Sequence, residues 1–304
     1  MNNTALYIIT VLIWGSTWIA INYQLGDVAT EASLVYRFGL AALVLFAFCK
    51  WKKLDLSMNI RQHMQIAVFG MTLFGANYYF LYMAQSHINS ALTCIAFSTI
   101  MILNIINSRI WFNTKISSQT YIGGALGLIG IVTLFWPQIE HLSLSDKTLL
   151  GLGLCFIGTM CASAGNMISI LNKNKQLPIV QSNAWGMMYG TLFMAIIAMV
   201  QGVEFTISTE PSYLISLFYL SIFGSVIAFG CYLTLLGNIG AHKASYSTIM
   251  FPAVAVVIST FVEGFEWNTY TVIGFIAIMV GNIVVLAKPK LSLKQLDKPT
   301  PVKV

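Results

Sequence analysis

The amino-acid sequence predicts an all-α polytopic membrane protein whose ten transmembrane helices form two inverted five-helix repeats. Three observations predict it: a composition too poor in charge for water, ten apolar windows of spanning length, and basic residues sorted to one side. Of 304 residues, 57% are hydrophobic and 9% charged, against roughly 25% charged in soluble domains. Such a chain cannot cover a water-facing surface, so its outer face must meet lipid. Length alone would suit two soluble domains, but composition overrides it. The net charge of +6 does not indicate a nucleic-acid partner, because the cations fall in short loops and a tail rather than in a patch with interleaved aromatics.

A spanning helix needs about 20 apolar residues. Windows of that kind lie near 5–22, 32–50, 63–84, 89–109 and 119–136, then near 149–170, 180–200, 212–236, 244–262 and 270–287. Turn and charged residues return between them, at Asp27, Lys52-Lys53, Lys115, Pro137, Lys173, Glu210-Pro211, His242-Lys243 and Glu263. The first window lacks a cationic lead and a small-residue cleavage site, so it reads as a spanning helix rather than a signal peptide. With the N-terminus in the cytoplasm, all basic residues except Arg37 and Lys147 fall on the cytoplasmic side. All acids except Asp55 and Asp297 fall outside. Cytoplasmic loops rich in Lys and Arg are what insertion favours. Eight or nine helices would scramble that sorting; ten, with both termini in the cytoplasm, preserve it.

The halves repeat. Ile122-Gly123, six residues, then Gly130 matches Ile273-Gly274, six residues, then Gly281, at an offset of 151. The same offset aligns Thr120 with Thr271, Ile88 with Ile239 and Ser90 with Ala241. The expected units are 1–137 and 149–287, followed by a basic cytoplasmic tail over 288–304. Because five is odd, the second unit must enter the membrane in the opposite sense. In secondary transporters built this way, substrate binds near mid-depth between the copies.

Trp14-Gly15-Ser16-Thr17-Trp18 in the first window resembles the signature of the EamA family of the drug/metabolite transporter superfamily. Tyr36-Arg37-Phe38 resembles that family's second-helix segment. Phe251-Pro252, Phe265-Glu266-Trp267 and the Gly274/Gly281 helix resemble the end of its second repeat. The resemblance covers nearly the whole chain. It departs in the first repeat, where Met101 stands against Pro252 and Lys115 against Glu266. The fourth helix is therefore expected to lack the proline kink of the ninth. The resemblance implies a ten-helix bundle in the cell (inner) membrane with a central cavity. It also implies alternating access and export or exchange of a small organic metabolite, an amino acid or related compound being favoured. Nucleotide sugars, sugar phosphates and drugs are the alternatives within the same fold, and a channel or a non-transport subunit lies outside it.

Candidate substrate-binding residues follow from polar or aromatic groups at membrane depth. Arg37 lies about five residues inside its window, where a charge costs several kcal/mol unless paired, hydrated or able to snorkel. It either faces a cavity and attracts a carboxylate or phosphate, or snorkels to the outer interface. Trp14 and Trp18 share a helix face; Trp14 and Thr17 are candidates for the cavity wall. Asn77, Tyr78 and Tyr82 in the third window, echoed by Tyr232, need hydrogen-bond partners at depth. Ser98 in the fourth window, Ser163 and Asn166 in the sixth, and Tyr246 in the ninth belong to the same group, with Thr99, Asn104, Ser247 and Thr248 beside them. Nearly uncharged walls of this kind suit a zwitterionic or neutral solute. Trp185 is expected to contact lipid.

No metal, cofactor or catalytic role is expected. His63, His87, His141 and His242 sit at window edges without paired spacing, and the five cysteines lie singly in apolar runs. No acid lies near any mid-depth position, so facilitated diffusion, exchange and proton coupling through Glu31 all stay open. The expected partners are a small-molecule substrate and the lipid bilayer; monomer and homodimer both stay open. Cysteine accessibility tests the orientation. In a background without the native cysteines, Lys53→Cys in intact cells resists a membrane-impermeant maleimide and reacts in inverted vesicles; reaction in intact cells would invert the orientation.

Overall fold

A computed structural model describes residues 1–26, 28–88, 90–140, 145–262 and 266–286. Asp27, His141, Glu263, Phe265 and the 288–304 tail, all named above, lie outside the described residues. Thirteen helices account for nearly all the described regular structure, and no strand occurs among the described residues. They are α1 (Asn3–Asn22), α2 (Thr30–Trp51), α3 (Ile60–Gln85), α4 (Ser90–Ser98), α5 (Ile100–Phe112), α6 (Ser118–Leu134), α7 (Trp136–Glu140), α8 (Asp146–Asn174), α9 (Ile179–Val200), α10 (Pro211–Ile239), α11 (Ala241–Ala244), α12 (Tyr246–Val262) and α13 (Thr269–Leu286).

Among the described residues, eight helical stretches are long and apolar enough to cross a membrane: α1, α2, α3, Leu92–Phe112, α8, α9, α10 and α13. The other two windows hold α6 and α12, each 17 residues, about 26 Å at 1.5 Å per residue. That is slightly under the roughly 30 Å hydrocarbon core. Local chemistry sets the ends. The side chains of Asn2, Ser117 and Ser145 accept from Ala5, Thr120 and Thr148 backbone N–H groups at the starts of α1, α6 and α8. Asn59 and Gln62 form a reciprocal capping box on α3. Asn113, at φ 50°, closes α5 in the left-handed region. Gly240, at φ 84°, turns the chain after α10 where a side chain would strain it.

Two long helices widen in the middle. Met71–Ala76 in α3 and Leu220–Ile227 in α10 are π-helical, so each carries extra backbone in one turn and shifts the register of the turns beyond it. The Ser225 hydroxyl donates to the Leu220 carbonyl five residues back (2.9 Å). The fourth window, expected to lack the proline kink of the ninth, is interrupted at Thr99 without a proline. The Ser98 and Thr99 hydroxyls donate to the carbonyls of Cys94 and Ala96, and such back-bonding competes with the helix ladder. Pro252 does lie inside α12.

Packing pairs each helix with specific neighbours: α6 runs along α13, α2 along α9, α3 along α8, and α1 against both α12 and α10, while α5 also meets α8. The α6–α13 pair approaches backbone to backbone. A Cβ on Gly123 would lie 2.7 Å from the Gly281 carbonyl oxygen, and one on Gly130 2.9 Å from that of Gly274. Small residues are what permit such crossings in membranes, where dispersion and close contact replace the hydrophobic effect. Accordingly, Gly130→Ala should destabilise the detergent-solubilised protein by about 1–3 kcal/mol in thermal unfolding. Gly153→Ala, where a Cβ meets nothing within 4 Å, should be neutral or mildly stabilising.

Candidate functional site

Arg37 is 1% exposed, two turns into α2, so it does not snorkel to an interface. Its Nε donates to the Ser225 hydroxyl at 3.2 Å and an Nη to the Tyr82 hydroxyl at 3.2 Å. The guanidinium carbon lies 4.6 Å from the Tyr78 ring centre and 5.0 Å from that of Phe38. These partners are hydroxyls and π faces; none is a carboxylate. Ser225 stands in one π segment, and Tyr78 and Tyr82 come just after the other. The two widened turns thus set the register of the groups that hold the charge.

Beside Arg37 lies a cavity of about 60 Å³, counted as space open to the centre of a water molecule, room for a few waters. Trp14, Thr17, Asn77, Tyr78, Tyr82, Asn166 and Tyr232, predicted from the sequence, line it with Arg37. Its residues include no acid and no histidine, so Arg37 is its one charge among the described residues. The Trp14 indole N–H donates to the Gly224 carbonyl at 2.9 Å, in the α10 π segment. Its ring packs on Phe229, Tyr232 and Phe251 at centroid distances of 4.7, 4.9 and 5.8 Å. The Asn77 amide donates to the Leu73 carbonyl, and the Asn166 amide to the Tyr232 hydroxyl at 3.1 Å. Both residues leave their Oδ1 acceptor without a partner among the described residues, although both are buried.

The cavity runs from Trp14 and Phe251 toward Ile21 and Gln85, in the last turns of α1 and α3. There Trp18 meets Phe97 edge to face at 6.3 Å. At the opposite end of α1, side chains tie four helices together. Lys173 donates to Asn238, Asn238 to Asn3, Lys175 to Gln65, and Gln65 to Asn172.

Three predicted residues lie elsewhere. Ser98 bonds back within α4. Ser163 donates to Asn104 and accepts from Asn107, joining α8 to α5. Tyr246 donates to the Gly123 carbonyl at 2.8 Å, beside the glycine crossing of α6 and α13. Trp185, expected to contact lipid, instead donates to the Leu56 carbonyl at 3.1 Å and packs edge-on to Phe46 and His63. The loop beneath it is held in place, because Gln181 bonds the Asp55 carbonyl and Ser57 donates to the Asp55 carboxylate. The Ser57 contacts hold that carboxyl below the usual carboxylate range.

Sequence reasoning missed Ser225, Gly224 and Phe229. A signal was present: Leu73-Phe74-Gly75 in one π segment echoes Ile222-Phe223-Gly224 in the other. Its offset is 149 rather than 151, so a search at the glycine offset passes over it.

Comparison with known proteins bears on this arrangement. The EamA-like transporter family model matches residues 4–136 and 149–287. The chain is 27% identical over 294 residues to a protein named "Uncharacterized inner membrane transporter YedA" from Escherichia coli (strain K12), covering 94% of this chain and 92% of that one. It is 25% identical over 250 residues to "Uncharacterized transporter YoaV" of Bacillus subtilis (strain 168), covering 81% and 83%. A crystal structure titled only as that of a protein superposes with a TM-score of 0.79 at 15% identity, over 97% of this chain and 99% of that one. That likeness concerns the fold.

A buried cation with no acid beside it contributes little to stability. Arg37→Met should therefore leave the thermal midpoint of the solubilised protein unchanged or raise it. A fall of more than about 3 kcal/mol, the cost of breaking a buried ion pair, would mean that Arg37 has an acidic partner.

Proposed function

The chain belongs to the EamA-like transporter family, and on that premise we propose that it is a secondary carrier moving a small amino-carboxylate compound across the cytoplasmic membrane by export or exchange. The observation that carries this reading is Arg37. A guanidinium held at depth by hydroxyls and rings keeps its full charge. It also retains donors for a planar anion, which a carboxylate meets in bidentate fashion. Around that charge the cavity residues offer acceptors: the free Oδ1 atoms of Asn77 and Asn166 and the π faces around Trp14. Carbonyl oxygens and aromatic faces attract an ammonium group. A cation and acceptors lining one cavity match a zwitterion.

Alternating access between two inverted five-helix units is the motion we attach to this site. Its support is the exchange in helix pairing. With α4 and α5 taken as one span, the first helix of each unit meets the third and fourth of the other, while second pairs with second and fifth with fifth. That is the pattern a two-fold axis in the membrane plane generates. The π segments fall at matching places in the two third helices. The cavity reaches toward the end where α1 finishes, and the Lys173–Asn238–Asn3 chain ties the other end. Such an arrangement suits a carrier open, or nearly open, on one side. With the N-terminus in the cytoplasm, that side is the outer one. In this reading both termini lie in the cytoplasm, and the two units are 1–137 and 149–287.

Counterflow into proteoliposomes tests the function. With a panel of amino acids, nucleosides and sugar phosphates, at least one amino acid should show saturable trans-stimulation. Arg37→Gln should cut it by roughly 10- to 100-fold, the range that about 1.4–2.8 kcal/mol spans, in protein that stays monodisperse. Sugar phosphates alone being carried would retain Arg37 and replace the substrate class. Flux that never saturates would indicate a channel.

A further inference from the structure

A second concavity lies away from the cavity, on the outer face between α5 and α6. Measured the same way it holds about 380 Å³. Met101 and Ile105 form its floor, and both are buried. Gly124 makes the floor deep, since a Cβ there would press on the Met101 thioether, 3.2 Å from the sulfur. Ile102 and Ile106 on α5 and Leu128 on α6 are its walls. From Met101 to Ile110, nine rises of 1.5 Å make about 14 Å, close to half of the roughly 30 Å hydrocarbon core. Arg109 lines the far end, in the last turn of α5, exposed and without a side-chain partner among the described residues. Tyr121, from the first turns of α6, lines that end too.

The slot thus has a cation at one membrane surface and an apolar channel reaching mid-depth, the dimensions of a single leaflet. Water does not fill apolar space of this kind. We propose that the groove between α5 and α6 is a binding site for one anionic phospholipid, its phosphate on Arg109 and one acyl chain along Ile102, Ile106 and Met101. Charge decides the headgroup: a zwitterionic head carries its own cation, which competes with Arg109, whereas a phosphatidylglycerol head does not. A second copy of the chain fits less well. An isologous contact about an axis normal to the membrane would bring two Arg109 side chains to the same depth.

Native mass spectrometry of the full-length protein in detergent tests this, using equimolar phosphatidylglycerol and phosphatidylcholine with identical oleoyl chains. The wild type should retain one phosphatidylglycerol over phosphatidylcholine by roughly tenfold, the effect of one charge-assisted contact. Arg109→Gln should abolish the preference, and Arg109→Lys should keep most of it. Ala125→Trp, from an exposed position on the groove wall, should lower retention of both lipids. Equal retention of the two lipids by the wild type, or an undiminished preference in Arg109→Gln, overturns the proposal. So does a dimer without lipid that Ala125→Trp dissociates.

Discussion

The burial of Arg37 is the constraint that shapes the interior of this bundle. A charge at membrane depth costs at least about 2.5–3.5 kcal/mol. Two hydrogen bonds to hydroxyls and the Tyr78 face together roughly offset that cost. They offset it without neutralising the charge. A carboxylate partner would have neutralised the site; hydroxyls and rings leave a cationic pole facing a small cavity. The partners must also arrive in register from α3 and α10, and both helices place a π-helical turn at the level where that register is set.

The periphery obeys a different logic. Where α6 meets α13, glycines bring the two backbones together, and the Tyr246 hydroxyl bonds a carbonyl exposed at that crossing. This part of the molecule is built for rigidity. The region around α1, α3, α8 and α10 is held by side-chain hydrogen bonds at its exposed end and by aromatic edges at the cavity. Contacts of that kind exchange for water at modest cost. The α5–α6 groove lies on the rigid side, facing the acyl chains.

Much of this was legible in the sequence because a bilayer imposes coarse rules. Span length and charge poverty fix an all-helical membrane chain, and each apolar window holds a helix. Nine of the cavity residues, Thr248 among them, were nameable because polar and aromatic groups at depth are rare and need partners. Ser98, Ser163 and Tyr246 satisfied the same criterion and serve packing instead, since a hydroxyl can bond a carbonyl on its own or a neighbouring helix without facing a cavity. Ser225 and Gly224 were harder to read for the complementary reason, their only trace being the Phe-Gly echo at an offset of 149. Their roles depend on a π turn, which exposes a carbonyl and redirects a small hydroxyl, and no residue type announces that geometry. Trp185 was misplaced because aromatic belts make lipid contact the default for a span tryptophan, whereas a folded loop supplied a carbonyl.

On the proposed function, Arg37 is held without an acidic partner so that it can meet a carboxylate. Isothermal titration of the purified protein with an amino acid that it carries, and with the corresponding amide, tests it most directly. The amide should bind roughly 10- to 100-fold more weakly than the acid, and Arg37→Gln should erase the difference. Equal affinity for acid and amide in the wild-type protein would refute the claim.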